Sequence, residues 1–128
     1  MDKYIITGNN ILSVLGLYII ISVCLSLNTN YQKIKLEKQM YIIKNVVKSL
    51  VLLYVGVFSS IDFIHFIYNN VYEMNLVYNY ASLYVANDFI ALLIVPNLPK
   101  TTILHHQITC LFLVYTLHVD FNLSLIHI

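Results

Sequence analysis

The sequence has 128 residues, of which 59% are apolar and 10% are charged. Average soluble domains carry about 25% charged residues, so a chain of this composition cannot cover itself with a water-facing surface. The formal charge of +1 argues against a nucleic-acid-binding protein, which needs a clustered basic face. We therefore expect a membrane protein that has no nucleic-acid partner.

Four apolar stretches follow one another along the chain, at residues 11–27, 46–68, 78–95 and 103–119. A helix needs about 20 residues to cross the hydrocarbon core of a bilayer, and each stretch is near that length. The stretches are too long for strands and lack the alternation of polar and apolar residues that strands show. They predict an all-α fold, a multi-pass transmembrane helix bundle with about four spans that is part of a larger bundle.

Polar segments separate the four stretches and indicate their orientation. Pro96 cannot continue a helix, so the third span should end there. Lysines concentrate in or beside the first loop (residues 28–39), and Lys100 lies in the third loop (residues 96–102); the first group comprises Lys33, Lys35, Lys38, Lys44 and Lys48. The positive-inside rule then places both loops in the cytoplasm and the N-terminus and second loop in the lumen or outside.

The fourth stretch carries a polar stripe. At the helical repeat, six of its polar residues fall within roughly 100° of arc: Thr102, His105, His106, Thr109, Thr116 and Asp120. Ionisable groups at membrane depth are costly and are functional candidates by default. Adjacent imidazoles are hard to explain as packing, so we interpret His105 and His106 as functional and expect the stripe to face the bundle interior.

The other two candidate groups lie on the second and third stretches. Asp88 has Tyr84 one turn earlier on the same face, and the Tyr84 hydroxyl is expected to bond its carboxylate. Asp62 and His65 share one side of the second stretch and are secondary candidates. For both groups the competing interpretation is polar bonding between helices, worth about 0.6 to 2 kcal/mol per bond; for Asp62 and His65 we favour it.

The sequence disfavours both a metal site, because of the spacing of its histidines, and a disulfide, because of the apolar surroundings of its cysteines. Membrane desaturases and hydroxylases use histidine boxes of the form H-x-x-H-H or H-x-x-x-H, and the five histidines of this chain show neither spacing. The two cysteines, Cys24 and Cys110, lie inside apolar stretches, where a thiol usually behaves as a small hydrophobe. We therefore expect no metal ion and no cofactor.

Residues 80–122 resemble the TLC-domain family, which includes the ceramide synthases and the translocating-chain-associating membrane proteins. The matching residues are Tyr84 and Asp88 on one helix, Lys100 in a short loop, and the run Leu104-His105-His106-Gln107-Ile108-Thr109 opening the next helix. The element H-H-x-x-T is the most specific part. The resemblance extends loosely to the second stretch and hardly at all to the first.

The resemblance implies a role in lipid metabolism or membrane-lipid homeostasis in the endoplasmic reticulum or another internal membrane, with membrane lipids as partners and self-association left open. In ceramide synthases the paired histidines are implicated in acyl transfer from acyl-CoA to a sphingoid-base amine. Carried over, His105 or His106 is the base or acyl acceptor, Asp88 joins them as a candidate catalytic residue, and acyl-CoA is a co-substrate. Tyr84, Thr109 and Thr116 are then candidate lipid-binding residues.

Two alternatives to the acyltransferase stay open. Ceramide synthases carry a basic-acidic-aromatic cluster just before the histidines, where this chain reads Asn97-Leu98-Pro99-Lys100-Thr101-Thr102. Other members share the aspartate and the histidine pair without an established reaction. The leading expectation is therefore a TLC-domain protein in lipid metabolism or membrane-lipid homeostasis, and the alternatives are an acyl-CoA-dependent N-acyltransferase and a non-enzymatic membrane trafficking or translocation factor.

Family members usually have six or more spans, so we expect residues 1–122 to form part of a larger TLC-type domain. Residues 123–128 resemble a translated adapter used in sequencing libraries and are expected to be non-native. For that reason we assign no role to His127 or to the sequon at residues 122–124.

Overall fold

The computed structural model describes residues 2–70 and 73–119, and within those ranges the chain forms helices and no strands. The helices are α1 (Lys3–Ser26), α2 (Thr29–Gln32), α3 (Leu36–Asn69), α4 (Met74–Ile94) and α5 (Lys100–His118). The predicted all-α fold is confirmed. Asp120 and the expected non-native tail at 123–128 lie outside the described residues.

Helices α1, α3 and α4 are each long and apolar enough to cross a membrane. Each of the four apolar stretches corresponds to a long helix, and three of them extend one residue past its end. Helix α5, which matches the fourth stretch, is not one of the three candidate spanning helices. It has 19 residues, which is long enough to span, and its first half contains His105, His106 and Gln107. These polar side chains lower the hydropathy of the helix that carries the candidate site.

Local sequence signals explain where the helices begin and end. The side chains of Asp2 and Asn28 accept hydrogen bonds from backbone N–H groups in the first turns of α1 and α2. After α3 the backbone turns left-handed at Asn70, with φ of 53°, a conformation that asparagine tolerates better than most residues. Helix α4 ends before Pro96, as predicted, and α5 begins directly after Pro99.

The first loop is shorter than predicted, because α3 already begins at Leu36. With 34 residues, α3 is about 51 Å long, which exceeds the hydrocarbon core of about 30 Å. Lys44 and Lys48, expected in or beside the loop, lie inside this helix. They follow Ile43 and Val47, which are buried and spaced one turn apart, so both lysines share the inward-facing side of α3.

Helix α4 is the centre of the bundle and packs against α1, α3 and α5. Small side chains on α4, including Ser82 and Ala86, are fully or almost fully buried and allow the neighbouring helices to approach closely. The main apolar core joins α1, α3 and α4 through Val14, Tyr18, Val47, Val51, Ala86 and Ile90. Away from α4, large apolar residues such as Leu12 and Leu53 are more than 60% exposed, as expected for a surface that contacts lipid.

Polar side chains join α1 to α4 along one seam. Asn10 Nδ2 donates to Asn79 Oδ1 at 2.9 Å and to Ser82 Oγ at 2.7 Å. Farther along both helices, the Tyr18 hydroxyl donates to Asn87 Oδ1 at 3.0 Å. The bonded positions advance together along both helices, so α1 and α4 run parallel.

We expect Tyr18→Phe to destabilise the bundle by about 1 to 2 kcal/mol. Asn87 is 1% exposed, and its Nδ2 already has no hydrogen-bond partner among the described residues. Without the tyrosine hydroxyl its Oδ1 also loses a partner. Reversible unfolding in mixed micelles measures the effect, with Tyr68→Phe as the control because Tyr68 is 84% exposed. Equal stabilities of the two variants would contradict this role for the seam.

Candidate functional site

Asp88 lies where α3, α4 and α5 meet, and its side chain is completely buried. It precedes the last residue of α4, Ile94, by six positions, which is about 9 Å along the helix axis. Asp88 therefore lies toward the end of α4 that is next to the start of α5. Membrane interiors rarely hold a carboxylate that has no partners, and this one has several.

Four side chains surround the Asp88 carboxylate. The ammonium of Lys48 on α3 lies 3.2 Å from Oδ1, and Thr109 on α5 donates to Oδ2 at 3.2 Å. His106 Nδ1 lies 3.1 Å from Oδ1, and His105 Nε2 lies 3.6 Å from Oδ2. The structure thus brings the three candidate catalytic residues, Asp88, His105 and His106, together. We call these three residues and Lys48 the Asp88 cluster.

The two imidazoles have different surroundings. The side chain of His106 is 1% exposed, and that of His105 is 52% exposed. Although His106 Nδ1 is close to the carboxylate, neither of its ring nitrogens makes an aligned hydrogen bond with a residue in the described ranges. His105 is therefore the imidazole that a substrate can reach, whereas His106 has two buried nitrogens available to a ligand.

Lys48 is the member of the cluster that the sequence analysis assigned only to membrane orientation. Its ammonium also lies 5.1 Å from the centre of the Tyr84 ring, a cation–π contact. Tyr84 was expected to bond Asp88 itself, and the structure instead places it against Lys48. The signal that was available is a lysine inside an apolar stretch, since such a residue needs a partner of opposite charge at membrane depth.

The secondary candidates Asp62 and His65 lie at the other end of α3. The Tyr80 hydroxyl on α4 donates a hydrogen bond to Asp62, so the carboxylate has a partner on another helix as well as a histidine nearby. Asp62, His65 and Glu73 line a cavity of about 600 Å³ between α3 and the start of α4. This end of the bundle is separate from the Asp88 cluster.

A second, mainly apolar cavity of about 610 Å³ continues from the first and shares Ser59, Val77 and Tyr80 with it. It is also lined by Val55, Ala81, Tyr84, Ile108, Thr109 and Phe112. We call these two cavities together the cleft. Two of the predicted lipid-binding residues, Tyr84 and Thr109, thus line the cleft and also contact the Asp88 cluster.

The third predicted lipid-binding residue, Thr116, lies elsewhere. Its hydroxyl donates to Leu113 O at 2.8 Å, and its carbonyl accepts a hydrogen bond from the Tyr78 hydroxyl at 3.1 Å. Ten positions separate it from His106 on α5, or about 15 Å. Its contacts join α5 to the beginning of α4.

Searches against family models, curated proteins and solved structures give no match for this chain. The resemblance to the TLC-domain family therefore rests on the residues of the sequence, and the geometry of the Asp88 cluster is the basis for proposing a function.

We expect Lys48→Met to destabilise the protein more than Asp88→Asn. Removing one partner of a buried ion pair costs about 3 to 5 kcal/mol. Asp88 is completely buried and cannot recover water, whereas the Lys48 side chain is 25% exposed and has a path to solvent. Reversible unfolding in mixed micelles measures the free energy of unfolding of each variant and shows which substitution lowers it more.

The double variant Asp88→Asn/Lys48→Met serves as the control for this pair. It removes both charges, so its cost should be smaller than the sum of the two single costs. Additive costs would mean that the two side chains do not interact, and the ion pair would then not hold α3 to α4.

Proposed function

We propose that this chain is a TLC-domain multi-pass protein of the endoplasmic reticulum or another internal membrane that acts in lipid metabolism or membrane-lipid homeostasis. The observation that carries the proposal is an apolar cleft that ends beside the buried Asp88 cluster. A lipid has the same division into an apolar chain and a polar end.

The volume and lining of the second, mainly apolar cavity of the cleft, about 610 Å³, support a lipid chain as the ligand. Small-molecule sites typically enclose about 300 to 1,000 Å³ and are lined mainly by apolar side chains with a few polar groups. Ile108, Phe112 and Val55 provide apolar walls, and Thr109 provides a hydroxyl at the end next to Asp88. An acyl chain that leaves the bilayer for the cleft would exchange contacts with other lipid chains for similar contacts with apolar side chains. Its polar end would reach Thr109.

The acyl-CoA-dependent N-acyltransferase remains a second candidate because of one observation, the position of His105. Its Nε2 is 3.6 Å from Asp88 Oδ2 while half of the side chain is exposed. A carboxylate behind an accessible imidazole is an arrangement suited to a general base. In such a reaction His105 would accept the proton of a sphingoid-base amine as the nitrogen attacks the acyl-CoA thioester carbonyl and the CoA thiolate leaves.

Ala81→Trp should reduce lipid labelling severalfold, because Ala81 lines the apolar part of the cleft and an indole would occupy that volume. The measurement is crosslinking of the purified protein by a photoreactive fatty-acyl lipid in nanodiscs. Leu53→Trp is the matched control, since Leu53 lies on α3 with 65% of its surface exposed. Equal labelling of both variants would count against the cleft as a lipid site, and crosslinking to nascent chains instead would favour a translocation factor.

The enzymatic candidate has its own test. If the chain is an N-acyltransferase, cells that express it should gain N-acylated sphingoid bases, and His105→Ala should abolish the gain. Lipid analysis of cells expressing the parent chain, His105→Ala and His118→Ala measures this, with His118 as an exposed histidine away from both the cleft and the Asp88 cluster. An unchanged sphingolipid profile in all three would remove the acyltransferase and leave a non-catalytic lipid protein.

A further inference from the structure

We propose that Asp88, His105 and His106 form a binding site for a divalent transition-metal ion of the zinc type. The inference rests on the positions of their ligand atoms and holds whether or not the cleft binds a lipid. It revises the expectation of no metal, which considered only histidine spacing along the sequence and not an aspartate contributed by another helix.

The three donor groups are close enough to hold one ion. Each residue offers one ligand atom, and these atoms lie within 4.8 Å of one another. Zinc binds imidazole nitrogen and carboxylate oxygen at about 2.0 to 2.2 Å in tetrahedral geometry, which puts neighbouring ligand atoms about 3.3 to 3.6 Å apart. His106 Nδ1 lies 3.1 Å from Asp88 Oδ1, and His105 Nε2 lies 3.6 Å from the other oxygen, Oδ2. The three side chains must therefore draw closer together for one ion to contact all of them.

The surroundings of His106 also leave room for a ligand. Its side chain is 1% exposed, Nδ1 lies 3.1 Å from Asp88 Oδ1 without an aligned hydrogen bond, and Nε2 has no hydrogen-bond partner within 2–70 or 73–119. Leaving a buried polar nitrogen unsatisfied costs about 1 to 3 kcal/mol. A metal ion beside the carboxylate would use the lone pair of one ring nitrogen and remove part of that cost.

The donor set selects among metals. Two imidazoles and one carboxylate match the three protein ligands of catalytic zinc sites, which keep one position open for water or substrate. Calcium and magnesium prefer oxygen ligands in larger number, so they fit poorly. The open position would lie toward His105, the exposed member of the cluster.

Lys48 is the natural competitor of the metal ion. Its ammonium lies 3.2 Å from Asp88 Oδ1 and would repel a dication bound to the same carboxylate. The side chain is 25% exposed, and a lysine can withdraw its ammonium along its flexible stem toward water. The metal ion and the Lys48 ammonium should therefore compete for the Asp88 carboxylate. Metal binding at an unrelated surface site would not depend on Lys48.

The test uses the full chain in nanodiscs, stripped with a chelator and then titrated with Zn²⁺ or Co²⁺ alone. We expect one ion per chain and the visible absorption of tetrahedral Co²⁺. Asp88→Asn and His106→Ala should each weaken binding at least about 100-fold. His65→Ala and His118→Ala should leave it unchanged, because both histidines lie away from the Asp88 cluster.

Lys48→Gln provides the decisive variant, because it keeps all three ligands and should strengthen binding at least about tenfold. Because the metal-free variant loses an ion-pair partner of Asp88, its unfolding is measured with and without Zn²⁺, and the ion should restore the stability that the substitution removes. Unsaturable binding, an octahedral Co²⁺ spectrum in the parent chain, or no gain in affinity for Lys48→Gln would each overturn the proposal. Lipid crosslinking in the same nanodiscs reports on the cleft separately, so failure of one proposal does not imply failure of the other.

Discussion

The buried carboxylate of Asp88 is the constraint on which the rest of the bundle depends. A carboxylate without water or a partner is too costly at membrane depth, so the helices around it must supply compensating groups. Helix α3 supplies the Lys48 ammonium, and α5 supplies Thr109 and both imidazoles. One side chain on the central helix thereby fixes the rotation and the height of two neighbouring helices.

The polar side-chain contacts that join the four long helices follow the same arrangement, with α4 as the common partner. Asn10 and Tyr18 bond it from α1, and Asp62 accepts the Tyr80 hydroxyl on the α3 side. Such bonds matter in a bilayer because apolar side chains gain little by leaving lipid for protein. The cleft between α3, α4 and α5 has Thr109 at one end, and the bond between Asp62 and Tyr80 lies where its two cavities meet.

The asymmetry of the histidine pair links the two proposals. His105 is half exposed and lies at the same carboxylate oxygen of Asp88 as Thr109, which lines the cleft, whereas His106 is buried. A metal ion held by both residues and Asp88 would place an open coordination position at the polar end of the cleft. Lipid binding and metal binding would then be two properties of one site, although each is argued from different observations.

The apolar stretches and the two prolines were enough to predict four long helices and their approximate ends, because span length and the missing proline N–H are local properties. The paired histidines and Asp88 were identified from their cost at membrane depth, which is also local. Lys48 lies inside the second apolar stretch, which indicates a need for an acidic partner, but the sequence does not show which acidic residue supplies it. Only the packing of α3 and α5 on α4 decided that Lys48 neutralises Asp88, that Tyr84 contacts Lys48, and that Thr116 lies apart from the cluster. Those contacts join residues far apart in the chain, and they depend on which faces of the helices meet.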